Sequence, residues 1–226
     1  VVVTDYHGHS YYNVPLIDRY FVAVDGVKDD LVRVGVDKEK IEVTGIPVSQ
    51  KFYAGYDPMR LKRKLGISNN FKTVLFVSRL AKDFILPALE GIMGMGEKVN
   101  LIMVCGGNNE LYRRIRNEFP PRRNFKLVNW TGRLDEYMKI ADVVVGKPGG
   151  LMISECMALG KRMVLTDPIP GQEKRNAEFM ARCGGGRLAL DAKQIAISVR
   201  ESLHCSETGD MQSGANASAK ILEFFK

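Results

Sequence analysis

The chain has 226 residues, 45% hydrophobic and 26% charged, too apolar for a disordered chain and enough to build more than one core. No apolar run approaches the ~18 residues that a membrane-spanning helix needs. Lys and Arg number 33 against 26 Asp and Glu, and the resulting +7 suits nucleic acid, phosphorylated metabolites or an anionic membrane without selecting among them.

Val1, Val2 and Val3 read as a strand that closes in a polar turn at Thr4 and Asp5. With Val first and no basic leader before it, the expectation is a chain that starts inside a fold and carries no signal peptide. A short strand at 21–24, a helix at 27–34 and a strand at 41–44 follow, and 51–57 lacks any periodicity and reads as a linker. Asp57 and Pro58 then supply an N-cap and a first-turn proline for a helix running to Gly66. Buried strands are predicted at 73–78, 101–105, 125–130, 143–145 and 163–166. The predicted helices between and after them are one containing Pro87 and ending near Gly94 and Gly96, then 110–119, 151–159, 173–182, 192–203 and 215–225. Apolar strands separated by amphipathic helices define an α/β fold. It is read as a doubly wound parallel sheet over 58–226, preceded over 1–50 by the closing fragment of a second Rossmann-like domain.

Four cysteines, Cys105, Cys156, Cys183 and Cys205, are widely spaced and read as reduced structural thiols of a cytoplasmic protein. There is no Walker A motif, no HExxH, no zinc-type spacing and no DxD pair, so no metal is expected.

Ligands of such sheets bind beyond the carboxyl ends of the strands. The strongest signal there is VVVGKPGGLMISECMALG at 143–160. Gly149 and Gly150 permit close approach of a backbone and open a helix whose dipole favours an anion. Glu155, about one turn inside, reads either as an acceptor for a vicinal diol or as a partner of the helix dipole. The second signal is PIPGQEKRNAEF at 168–179, where a turn presents Gln172 and Glu173, an amide and a carboxylate suited to sugar hydroxyls; helix capping is the other explanation. His7 and His9 follow the first strand and serve either as proton-transfer or phosphate contacts or as plain surface residues. Arg113, Arg114, Arg116, Arg122 and Arg123 form a basic cluster, read as a solvated face or a contact for anionic lipid. It lacks the interleaved aromatic stacking pattern of a nucleic-acid site.

The segment KPGGLMISECMALGKRMVLTDPIPGQEKRNAEF resembles the donor-binding core of glycosyltransferase family 28, in the branch of processive diacylglycerol glucosyltransferases and monogalactosyldiacylglycerol synthases. TDYHGHSYYNVPLIDRYFVAVDGVKDDLVRVGVDKEKIEVTGIPV resembles the end of that family's N-terminal domain, and MVCGGNNELYRRI a further stretch of its C-terminal one. The resemblance implies a GT-B-type fold of two facing Rossmann-like domains and transfer of a hexose from a UDP-sugar to diacylglycerol, without a metal or other cofactor. It also implies a peripheral place on the cytoplasmic face of an anionic membrane. By the same resemblance, the backbone at Gly149, Gly150 and Leu151 holds the diphosphate and Glu155 the ribose. Leu134 lies against the uracil, Gln172 and Glu173 hold the hexose, and Asn176 supports their turn. The family's catalytic base falls earlier in the N-terminal domain than this sequence reaches, so the fragment alone is expected to be inactive. Three positions depart from the family pattern: Ser49 in place of arginine, Ser78–Lys82 in place of a glycine-rich loop, and Met152 in place of threonine. Two alternatives stand beside this reading: transfer of N-acetylglucosamine to the peptidoglycan lipid precursor, and a non-catalytic nucleotide-binding or scaffold module.

Overall fold

In the computed structural model, which describes residues 1–96, 98–120, 122–205 and 216–225, the apolar runs become two parallel sheets. The smaller joins β1 (Tyr20–Val22) to β2 (Ile41–Val43) through α1 (Asp25–Arg33). The expected first strand is reduced to a single parallel bridge from Val2 to Phe21. Val3, Tyr20, Val22, Val27, Leu31 and Ile41 form the core of this unit.

The larger sheet has six parallel strands: β3 (Lys72–Val77), β4 (Val99–Val104), β5 (Phe125–Val128), β6 (Val143–Gly146), β7 (Arg162–Leu165) and β8 (Gly186–Leu188). Their order is β5-β4-β3-β6-β7-β8. The chain therefore winds outward from β3 in one direction, then restarts at β6 and winds outward in the other. This is the doubly wound arrangement, with its crevice between the carboxyl ends of β3 and β6.

Both faces of the sheet are covered, which is why its strands read as unbroken apolar runs. One face packs on α3 (Ile85–Met93), α4 (Asn109–Glu118) and α8 (Ala192–His204); Ile92, Ile115 and Val199 there are fully buried. The other packs on α5 (Leu134–Ile140), α6 (Gly150–Ala158) and α7 (Gln172–Arg182). Asp57 caps α2 (Pro58–Lys64) by accepting from the Met59 and Arg60 amides, as its sequence predicts.

Three elements differ from expectation. Helix α5 falls in a stretch with no predicted element, and the edge strand β8 is likewise new. The 51–57 stretch is not free of the cores, because Phe52 is buried beside Val48 against the six-stranded sheet. The last helix, α9 (Ala217–Glu223), folds back onto the small sheet, where Phe224 meets Phe21 edge-on at 5.7 Å and Arg19 lies over the Phe224 ring. Position 215, where this helix is predicted to start, lies outside the described residues.

Candidate functional site

Six loops leave the carboxyl edge of the larger sheet, and those after β3 and β6 flank the crevice. The β6 loop ends at Gly149, the N-cap of α6, with φ −69° and no capping side chain. The first-turn amides of α6 thus point forward without an intrahelical partner, and the helix dipole adds partial positive charge there. Leu151 is exposed at this end and Met152 is half-buried against the core.

At Gly150 the close approach of a backbone that the sequence predicts is made by residues 4–5. A Cβ at Gly150 would sit 1.7 Å from the Thr4 carbonyl oxygen, so the position admits the backbone of residues 4–5. Gly149 has open space around it. Of the two glycines, only the first faces a vacant volume.

Asn176 is likewise committed to the seam between the two sheets and not to the 168–171 turn. It is completely buried; its Oδ1 accepts from the Tyr6 amide at 2.8 Å and its Nδ2 donates to Asp5 Oδ1 at 2.9 Å. Tyr6 stacks on Phe179 with centroids 4.1 Å apart, and its hydroxyl lies 2.9 Å from Ser154 Oγ, which donates to the Gly150 carbonyl. Burial pushes the Tyr6 phenol up to about 12.

Glu155 sits on α6 between Lys51 and Asp135. Burial pushes its carboxyl up to about 7; Lys51 pulls the value down and Asp135 pushes it up. Lys51 and Asp135 are themselves 3.9 Å apart. A half-buried carboxylate with a perturbed pKa is a candidate ligand acceptor on physical grounds. Leu134 opens α5 and is half-buried in the core on that side.

Glu173 Oε2 accepts from the Ile169 amide at 2.6 Å and pairs with Lys147 at 3.1 Å, so it ties the β7 loop to the β6 loop. Gln172 is half-buried at the first turn of α7. Asp167, with φ +46°, pairs with Lys82 at 3.6 Å across the crevice. The Ser78–Lys82 loop that replaces a glycine-rich one holds Arg79 across Gly106, where a Cβ would meet the Arg79 Cγ at 2.3 Å. Asn108 Nδ2 donates to the Arg79 carbonyl at 2.8 Å. Ser49 precedes a 3-10 turn and makes no capping hydrogen bond with its side chain.

Sequence reasoning left Trp130 unweighed. The chain's single Trp is 70% exposed at the carboxyl end of β5, and Gly107 and Gly132 both lie against it. Its place as the last residue of the strand predicted at 125–130, at the carboxyl end where ligands of such sheets bind, was the available signal.

The two histidines have local partners. His7 Nδ1 lies 2.6 Å from Asp30 Oδ2. Burial works against the Asp30 charge, yet the Gly8 amide, Arg33 and His7 outweigh it and hold the carboxyl below its ordinary value. His9 caps the turn at Ser10–Tyr12 and stacks on Tyr11. Among the described residues, no three His, Cys, Asp or Glu side chains group to hold a metal ion, and no helix is long and apolar enough to cross a membrane.

The doubly wound parallel sheet, joined to a second, smaller parallel unit, is an α/β fold of GT-B type. Solved structures with this architecture include a UDP-GlcNAc 2-epimerase from Neisseria meningitidis bound to UDP-GlcNAc (TM-score 0.72, 17% identity, 92% of this chain and 61% of that one). Another is Anabaena HepE in complex with UDP and glucose (TM-score 0.58, 16% identity, 92% and 62%). Residues 74–226 match the family model of the glycosyltransferase family 28 C-terminal domain, and residues 1–48 match that of monogalactosyldiacylglycerol (MGDG) synthase. The chain belongs to glycosyltransferase family 28. It is similar to the processive diacylglycerol beta-glucosyltransferases of Staphylococcus carnosus (33% identity, 88% of this chain, 51% of the relative) and Staphylococcus epidermidis (30%, 98% and 56%). The chain thus spans about half the length of the curated relatives it matches.

Proposed function

We propose that this chain carries the donor-binding half of a transferase that moves a hexose from a UDP-sugar to diacylglycerol. The observation that carries the reading is the free N-terminus of α6 at the switch point, with Glu155 within the same helix. Similarity to diacylglycerol glucosyltransferases along nearly the whole chain supports the choice of acceptor.

In this reading the acceptor hydroxyl oxygen bonds to the anomeric carbon as the bond to the diphosphate oxygen breaks, inverting that centre, and the hydroxyl proton passes to the base that the family resemblance puts earlier in the N-terminal domain. The α6 amides, aimed in advance at the leaving diphosphate, stabilise the charge that develops there. The Glu155 carboxylate accepts two hydrogen bonds from the ribose diol. Trp130 and Leu134 offer apolar surface to the base, and Gln172 with the Glu173–Lys147 pair faces the hexose. The net charge of +7 favours a peripheral place at an anionic membrane, where the acceptor resides.

Calorimetric titration of UDP into this chain and into Glu155→Ala tests the donor assignment. A loss of about tenfold in affinity is expected for removing a charged acceptor; equal affinities would sink the ribose role. For the intact protein, transfer of labelled hexose from UDP-glucose or UDP-galactose to diacylglycerol in vesicles is the direct assay. No transfer from either donor would refute the reading.

A further inference from the structure

The end of the larger sheet remote from the crevice contains a second concave site. The segment before β3 and the segments before β4 and β5 enclose a cavity of about 740 Å³, lined by Arg63, Ser68, Asn70, Lys98, Arg123 and Asn124 among others. A smaller cavity of about 240 Å³ adjoins it, sharing Ser68, Arg123 and Asn124 and reaching Asn100 and Lys126.

The wall of this site is built to present donors. Its loop carbonyls are already used: Lys126 Nζ donates to the Leu65 oxygen at 2.6 Å. Buried Asn100 donates to the Ser68 and Phe71 oxygens at 2.9 and 3.1 Å, and Lys62 Nζ also reaches Phe71. Asn124 Nδ2 donates to the Val99 carbonyl at 2.6 Å. These bonds tie the loop down and occupy the carbonyls of Leu65, Ser68, Phe71 and Val99. Cations around the crevice are matched, Lys82 by Asp167 and Lys147 by Glu173. Arg63, Lys98 and Arg123, by contrast, form no ion pair with any described residue.

A rigid concavity with three unmatched cations and spent carbonyls selects a ligand rich in acceptors and negative charge. We propose that this cavity binds a phosphate group, presented by a lipid headgroup or by a soluble phosphate ester. The Arg63 and Arg123 guanidinium groups in the lining each carry the forked donors that phosphate oxygens accept in pairs. The site is separate from the UDP crevice, and the inference does not rest on the glycosyl-transfer reading.

The test compares R63Q/R123Q with R113Q/R116Q, which removes the same charge from the exposed face of α4. All four side chains are exposed, so both variants should keep the wild-type urea midpoint and UDP affinity. One arm titrates inorganic phosphate at constant ionic strength and follows the Ser68 and Asn70 amide resonances. The other measures co-sedimentation with phosphatidylcholine vesicles, with and without phosphatidylglycerol. A response to either probe that falls about 25-fold in R63Q/R123Q, and is kept in R113Q/R116Q, sustains the site. Response to vesicles alone assigns a lipid headgroup, and response to phosphate alone assigns a soluble ester. Equal losses in the two variants, or no response to either probe, would overturn the proposal.

Discussion

Gly149 and Gly150 are adjacent in sequence, yet the structure assigns them opposite sensitivities. In Gly150→Ala the new Cβ would lie 1.7 Å from the Thr4 oxygen, whereas ordinary contact begins near 3.4 Å, so about 1.7 Å of separation is required. Both partners are backbone, so no side chain can rotate away. A shift of that size breaks the bond that Asn176 donates to Asp5, 2.9 Å, and the one it accepts from the Tyr6 amide, 2.8 Å. Overpacking costs about 1–3 kcal/mol and each lost bond adds about 1 kcal/mol, giving roughly 3–5 kcal/mol in total. For a chain of this size that corresponds to a fall in Tm of about 6–20 °C. Gly149→Ala meets no atom within 4 Å, and its φ of −69° suits alanine. Its stability should stay within about 0.5 kcal/mol of wild type, while UDP affinity falls because the methyl enters the space before α6. Urea unfolding and UDP calorimetry on both variants separate the two effects. A Gly150→Ala protein with the wild-type midpoint would refute the assignment of this glycine to the seam.

Glu155 should show the opposing demands of binding and stability. Its carboxyl is held up to about 7 against an ordinary value of 4.5. The folded state therefore keeps a proton that the unfolded chain releases, and stability declines as pH rises from 4.5 to 7, then levels off. Discounted for the solvent that still reaches the side chain, the loss is about 1–2 kcal/mol. Glu155→Gln should recover that amount at pH 8 and nothing at pH 4, measured by urea unfolding; equal stability gains at both would be contrary. Asn176→Ala should cost about 2–3 kcal/mol, because it strips partners from Asp5 and the Tyr6 amide, and Tyr6→Phe about 1 kcal/mol, since the stack on Phe179 remains. An Asn176→Ala protein of unchanged stability but weakened UDP binding would return that residue to the ligand.

The strands at the centre of the larger sheet were legible because burial on both faces makes them continuous apolar runs, as in Val143–Gly146 and Val99–Val104. Helix α5 was not legible: it is seven residues long, its N-cap Arg133 makes no side-chain bond, and no glycine stops it. The edge strand β8 spans three residues, two of them exposed, which leaves no apolar signature. At the site, the turn chemistry of 146–150 correctly located a helix N-terminus. What local sequence could not convey is which atoms approach Gly150 and Asn176, because Thr4, Asp5 and Tyr6 come from the far side of the chain. The same limit hid the partner of His7, which lies on the next helix at Asp30.

The packing of residues 4–6 on α6 and α7, together with α9 on the small sheet, makes the two units interlock like a buckle fastened on both sides. The stretch between β2 and α2, around Ala54 and Gly55, is exposed, with open space around Gly55. A proteolytic nick there would cut the chain without releasing its parts, because each piece holds a segment seated in the other. Cleavage in that exposed stretch would leave a complex that dissociates only on denaturation.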